Sequence, residues 1–226
     1  VVLTKISSVG IRNSTLFAHP GNSHRCVETT RKGNSDFFTN REGFKNLRHG
    51  YKVTRNNLGL IGFDKGMSLK DAELTMLDGR KTTFAEFAGK TVLVVNVASR
   101  CGLTPQYEAL EALQKKYAAK GFTVLGMPSN QFMQELGTSE AIGDYCSTTW
   151  GVTFPMTEKI KVNGRGRHEL YKTLVKTKDH AGLAGPVMWN FEKFLVLPNG
   201  QIQRFRPTTK PDAPEVIAAI EDALKA

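Results

Sequence analysis

The chain reads as an α/β protein, a central mixed β-sheet flanked by helices, and three observations carry that reading. The run Thr91-Val92-Leu93-Val94-Val95-Asn96-Val97-Ala98 is rich in β-branched residues and apolar but for Thr91 and Asn96, as suits a strand covered on both faces. It is followed by a helical pattern and then by a second apolar run, Phe122-Thr123-Val124-Leu125-Gly126-Met127, so the order strand, helix, strand predicts a parallel unit. Near the end, Phe194-Leu195-Val196-Leu197 and Gln201-Ile202-Gln203-Arg204-Phe205 flank Pro198-Asn199-Gly200, which predicts an antiparallel hairpin.

The patterned sequence begins close to Met67. Residues 1–66 mix Asn, Ser, Gly, Arg and Lys without sustained periodicity and read as a disordered basic extension, from upstream translation or a leader. They hold 11 Lys and Arg against 4 Asp and Glu, whereas residues 67–226 hold 20 against 17. The net charge of +10 therefore belongs mainly to the extension, and residues 67–226 form the expected folded domain.

Within that domain, Glu73-Leu74-Thr75-Met76-Leu77, Asp78-Gly79 and Arg80-Lys81-Thr82-Thr83 predict an opening hairpin around a tight turn. After the strand at 91–98, Thr104 is suited to cap and Pro105 to the first turn of a helix over 105–119. Tyr107, Leu110, Leu113 and Tyr117 recur there at helical spacing and should face the sheet. Further helices are expected at 139–149, 168–175 and 214–224, with an extended segment at 154–162. The run Asn163-Gly164-Arg165-Gly166-Arg167 reads as a polar turn, because it lacks the spacing of a phosphate-binding loop.

Cys26, Cys101 and Cys146 are too few and too scattered for a disulfide scaffold, and neither they nor the five His residues show metal-ligand spacing. The apolar runs are too short to span a bilayer. A soluble protein of a reducing compartment, with cytoplasmic localisation, is the expectation. Cys101 is the distinctive thiol. It lies at a strand-to-helix corner, where free N–H groups and the helix dipole favour an anion. That placement suggests a thioredoxin-like fold, yet the corner reads Cys101-Gly102-Leu103-Thr104 and lacks the second Cys of dithiol exchange. One-thiol chemistry such as peroxide reduction gains accordingly.

Three blocks then make the pattern specific. Asn96-Val97-Ala98-Ser99-Arg100-Cys101-Gly102-Leu103-Thr104, Pro128-Ser129-Asn130-Gln131-Phe132 and Trp189-Asn190-Phe191-Glu192-Lys193-Phe194 resemble, in the same order, the signatures of glutathione peroxidases. The resemblance implies a thioredoxin fold and a peroxidatic thiol at Cys101, attended by N–H donors from Gln131, Trp189 and Asn190. Neutral donors aimed at sulfur favour thiolate and can bind the departing peroxide oxygen. Cys146 resembles the resolving position of thioredoxin-dependent members. The implied activity is reduction of hydrogen peroxide and organic hydroperoxides through a Cys101 sulfenic acid, which Cys146 resolves and thioredoxin, in preference to glutathione, recycles. The resemblance implies no metal, flavin or haem, and a monomer is favoured. The chain departs from the family where Ser129 replaces a common Cys and where Phe132-Met133-Gln134-Glu135-Leu136-Gly137 is one residue shorter and lacks a Pro. Two rival readings are a redox sensor that passes oxidation from Cys101 to a partner protein, and a nucleic-acid-binding protein using the basic extension.

Overall fold

The computed structural model describes residues 68–225. The reading of residues 1–66 as a disordered extension lies outside the described residues. Strand β1 (Glu73–Thr75) pairs antiparallel with β2 (Lys81–Thr83), as the Asp78-Gly79 turn predicts. Gly79 adopts φ +83°, where a side chain would strain the backbone, and Asp78 Oδ1 accepts the Arg80 N–H at 3.0 Å.

Strand β3 (Thr91–Val97) is buried along its whole length. Leu93, Val95 and Val97 face one hydrophobic cluster with Tyr107, Leu110, Ile142, Val216 and Ile220, while Val92 and Val94 face a second with Leu74, Leu170, Tyr171 and Leu174. Period-two alternation into two separate cores is the reason the run is apolar at every position but Thr91 and Asn96. Helix α1 (Gln106–Tyr117) then leads to β4 (Phe122–Pro128), which pairs parallel with β3 from Thr91↔Phe122 to Val97↔Pro128. Tyr107, Leu110, Leu113 and Tyr117 are all buried, as their spacing requires. Burying one such leucine stabilises the fold by about 1.5–3 kcal/mol.

Helix α2 (Ser139–Trp150) starts where Thr138 Oγ1 accepts the Ala141 N–H at 3.2 Å and stops at Gly151 with φ +62°. Helix α3 (Glu169–Leu174) is shorter than expected because His168 is its cap, its Nδ1 accepting the Leu170 N–H. Strands β5 (Lys193–Val196) and β6 (Ile202–Phe205) form the expected hairpin, and α4 (Pro214–Ala223) closes the chain with Pro in its first turn. The sheet order is β4-β3-β5-β6, with β5 antiparallel to both neighbours. Helices α1, α2 and α4 share one core, and α3 with the β1–β2 hairpin covers the other. This is the thioredoxin-like arrangement of a mixed sheet with helices on both faces.

Two expectations are refined. The segment 154–162 runs beside β4 without becoming a strand: Pro155 offers a carbonyl to the Gly126 N–H at 3.0 Å but has no N–H to return, and only isolated bridges form, Gly126↔Met156 to β4 and Met76↔Thr157 next to β1. Gly126 permits that approach, since a Cβ there would lie 3.1 Å from both Met156 and Phe154. Thr104 does not cap α1. Its Oγ1 accepts the Cys101 N–H at 3.0 Å and donates to the Ala98 carbonyl at 2.9 Å, so the hydroxyl braces the corner instead.

Candidate active site

Cys101 follows the carboxyl end of β3, where successive turns bridge the strand to α1. Thr104 closes this corner from within: besides its side-chain bonds, its N–H donates to the Cys101 carbonyl at 3.0 Å. The Leu103 N–H donates to Cys101 Sγ at 3.4 Å. The thiol is nearly buried, at 7% exposure, while Arg100 beside it is exposed. The sulfur in this position thus meets one oriented backbone donor.

The segment carrying Trp189 and Asn190 is fastened to the same strand end through Asn96. Its Nδ2 donates to the Trp189 carbonyl at 3.0 Å, its Oδ1 accepts the Glu192 N–H at 3.1 Å, and its own carbonyl accepts the Phe191 N–H at 2.6 Å. These bonds hold Phe191 at φ +64°, an unusual value for a bulky residue. Glu192, fully buried, accepts from the Met188 N–H at 2.8 Å, from Arg204 Nε at 2.6 Å and from Arg206 at 2.9 Å. Arg204 in turn donates to the carbonyls of Thr177, Gly185 and Pro186. The loop before Trp189 is thus tied to β6 by a satisfied ion cluster. Backbone donors and Arg206 hold the Asp179 carboxyl below its ordinary range.

The three expected donors are brought to the carboxyl ends of β3 and β4 but do not hydrogen-bond the sulfur in this conformation. Gln131 Oε1 accepts the N–H groups of Val162 and Asn163 at 2.6 and 2.8 Å, and its Nε2 donates to the Asn163 carbonyl at 3.0 Å. Its amide therefore ties down the extended segment. Asn190 Nδ2 donates to Gln134 Oε1 at 2.9 Å, leaving its buried Oδ1 without a partner. Trp189 is 42% exposed and packs on Phe132 with ring centroids 5.1 Å apart, beside the exposed Met188. The short loop explains much of this. Met133 takes φ +56° to turn it, and the Gln134 carbonyl accepts the Arg100 N–H at 2.8 Å, so Gln134 sits between the cysteine corner and Asn190.

Sequence reasoning quoted Gln134, Glu135 and Asn96 inside motifs without giving them a role. Glu135 is buried, and its Oε1 accepts the N–H groups of Ser99 at 3.1 Å and Leu136 at 2.7 Å. Its isolation as the one acid in 128–137 was the available signal. Cys146, on the inward face of α2, is 2% exposed and shares the hydrophobic core with Cys101. Burial pushes its thiol up to about 11. On its outer side a pocket of about 280 Å³ is lined by Leu77, Arg80, Cys146, Val152, Phe154 and Met156, among others. Among the described residues no cluster of His, Cys, Asp and Glu is arranged to hold a metal, and no helix is long and apolar enough to cross a membrane. Both Cys101 and Cys146 are free thiols.

A thioredoxin-like sheet with a lone, donor-supported thiol after its central parallel strand defines the class of thiol peroxidases rather than that of dithiol exchangers. Comparison with known proteins sharpens this. A family model described as glutathione peroxidase matches residues 69–175. The thioredoxin/glutathione peroxidase BtuE of Escherichia coli (strain K12) is 50% identical over 169 residues, which cover 66% of this chain and 92% of that protein. The hydroperoxy fatty acid reductase gpx1 of Synechocystis sp. is 46% identical over 157 residues, covering 66% and 90%. The crystal structure of apo Trgpx superposes with a TM-score of 0.55 at 37% identity, over 71% of this chain and 97% of that one. The chain belongs to the glutathione peroxidase family and is a thiol-dependent peroxidase.

Proposed function

We propose that Cys101 is the peroxidatic residue, that Cys146 resolves its oxidised form, and that thioredoxin is the preferred reductant. The Cys101 thiolate attacks the terminal oxygen of a hydroperoxide; the O–O bond breaks, water or an alcohol departs, and a sulfenic acid remains. The observation that carries this reading is the Leu103 N–H directed at Cys101 Sγ within a corner braced by Thr104. Gln131 and Asn190 act once substrate enters, by turning side-chain N–H groups from their resting acceptors, the Asn163 carbonyl and Gln134, to the sulfur and the departing oxygen, and Trp189 adds its indole N–H.

Cys146 then displaces the oxygen from Cys101 and forms a disulfide. A helix-borne, buried thiol needs local unwinding of α2 to reach bonding distance, for which the two Cα atoms must approach to about 7 Å. The internal disulfide is what favours thioredoxin, whose two thiols can reduce it. The name of the Escherichia coli relative, which cites both reductants, is compatible with either donor. The half-exposed pair of Phe132 and Trp189 gives an apolar approach suited to organic hydroperoxides as well as hydrogen peroxide. A reducing cytoplasm is the setting in which the two free thiols persist.

The test is steady-state hydroperoxide reduction with thioredoxin and with glutathione in parallel, combined with mass spectrometry of the oxidised cysteines. Faster turnover with thioredoxin and a Cys101–Cys146 bridge are expected. A glutathione adduct on Cys101 without that bridge would reverse the choice of donor, and slow turnover with stable mixed disulfides to other proteins would favour a redox sensor.

A further inference from the structure

Gln134 meets both halves of the site from a backbone that is itself fixed. Its carbonyl accepts the N–H of Arg100, the residue before Cys101, at 2.8 Å. Its neighbour Glu135 accepts the Ser99 N–H at 3.1 Å and donates its own N–H to Asn130 Oδ1 at 3.0 Å, so the chain is pinned to the cysteine corner on that side as well. Asn190 is held from the other direction, where Asn96 binds the Trp189 carbonyl before it and the Glu192 N–H after it. Between these two fixed backbones the side-chain amides are left to move. They touch at one contact, Asn190 Nδ2 donating to Gln134 Oε1 at 2.9 Å. Asn190 is fully buried and its Oδ1 meets no donor, whereas Gln134 is half-buried. The resting contact thus spends the donor end of the Asn190 amide and orphans the acceptor end, which costs free energy in a buried site.

We infer that Gln134 is a positioning residue for the peroxidatic step, and that it sets which end of the Asn190 amide faces the reaction. The inference rests on the reading of Cys101 as the peroxidatic thiol and of Asn190 as a donor. A glutamine amide accepts through Oε1 and donates through Nε2 from nearly the same place. When both amides turn over, Gln134 Nε2 donates to Asn190 Oδ1, the orphaned acceptor is satisfied, and Asn190 Nδ2 is released toward the oxygen that departs as the O–O bond breaks. A donor is worth most at that point, because negative charge develops on the leaving oxygen. Gln134 touches neither the sulfur nor the peroxide in this role; it acts through Asn190.

For this role the chemistry of the side chain matters more than its bulk. A methionine has the reach of glutamine and offers neither end of an amide. A glutamate carboxylate only accepts, and its charge strengthens the bond, so it holds Asn190 Nδ2 in the resting register. A purely structural role ranks the two substitutions the other way, since glutamate keeps both the size and the acceptor of glutamine. The charged neighbours of Gln134 along the chain and across the Arg100 bond, the buried Glu135 and the exposed Arg100, stay the same in every variant.

The test uses the full chain and compares the second-order rate of Cys101 oxidation by hydrogen peroxide with that of its alkylation by iodoacetamide, both read by mass spectrometry of the Cys101 peptide. Alkylation needs the same thiolate and the same access but breaks no O–O bond, so the ratio of the two rates isolates the help given to the departing oxygen. Gln134→Met should lower that ratio about three- to tenfold, and Gln134→Glu about tenfold or more. Asn190→Ala should lower it about tenfold or more, and in that background neither Gln134 substitution should change it further. An unchanged ratio in both Gln134 variants overturns the inference, as does a greater loss in Gln134→Met than in Gln134→Glu. A loss that persists in the Asn190→Ala background also overturns it, because it marks an effect of charge or folding that does not pass through Asn190. Wild-type Cys101 that peroxide does not oxidise, or a wild-type ratio in Asn190→Ala alone, removes the underlying reading instead, and the single variants tell these cases apart.

Discussion

Cys101 and Cys146 occupy one apolar core and are both nearly closed to solvent, yet their surroundings differ in kind. Cys101 stands in a corner whose backbone is turned by Thr104 so that an N–H meets the sulfur. Cys146 stands inside a regular helix, where backbone N–H groups are already committed, and its thiol is pushed up to about 11 by burial. On the proposed reading, reactivity follows the local path of the chain and not depth: one thiol meets substrate, and the other waits on a local opening of α2.

Several measurements break or sharpen that contrast. The largest effect belongs to Cys101→Ser, which should reduce hydroperoxide consumption by roughly a thousandfold or more at any reductant, because no other described thiol sits at the corner. Retained turnover would mean that the contrast has been assigned the wrong way round. Cys146→Ser should lower thioredoxin-driven turnover by about tenfold or more while the first oxidation of Cys101, read by trapping, persists. Equal thioredoxin-driven rates in variant and wild type would remove Cys146 from the cycle.

The frame that holds the two sites together gives smaller, structural readouts. Glu192→Gln should lower stability by about 3–5 kcal/mol, seen as a fall in the urea midpoint, because it strands the buried Arg204 guanidinium and frees the loop ahead of Trp189. Lys193, buried beside it with its ammonium donating to the Pro207 and Thr209 carbonyls, is pushed down to about 7 from an ordinary 10.5. Between those two values the unfolded chain binds more protons than the folded one, so this group's contribution to stability rises with pH across that window and is flat below it. The difference in urea midpoint between wild type and Lys193→Met should therefore grow in favour of the wild type as pH increases from 7 to 9.5. A difference independent of pH would show that Lys193 keeps its charge in the core. The smallest effect is expected from Arg80→Ala, which removes an exposed pair with Glu86 at 2.9 Å and should leave both turnover and the urea midpoint unchanged within error.

Much of the fold was legible because its signals are local. The β3 run, the helical spacing of Tyr107, Leu110, Leu113 and Tyr117, and the Pro198-Asn199-Gly200 turn each depend on residues a few positions apart. Thr104 was misread for a related reason: a hydroxyl just ahead of a helix is a cap by local rules, but the carbonyl of Ala98 and the N–H of Cys101 were closer competitors for it. The candidate site was legible as a set of residue types and not as a geometry. Nothing local shows that Gln131 would hold the backbone of Val162 and Asn163, or that Gln134 would occupy the amide of Asn190. Glu135 was the largest omission, since its meaning comes from the Ser99 N–H, which lies 36 residues before it along the chain.

By itself the sequence determined the α/β class, the strand and helix order, the motif-bearing corner at Cys101 and the family those motifs mark. These rest on side-chain periodicity and on residue types at short spacing, which survive in one dimension. Only the tertiary structure decided which polar groups meet: that Asn96 fastens the Trp189 segment, that Arg204 is neutralised by Glu192, and that Glu135 takes the Ser99 N–H beside the cysteine corner. The reason is physical. A buried polar group takes its partner from whatever the closing of the core brings within about 3 Å, and that choice is made by packing between distant segments after the local pattern has done its part.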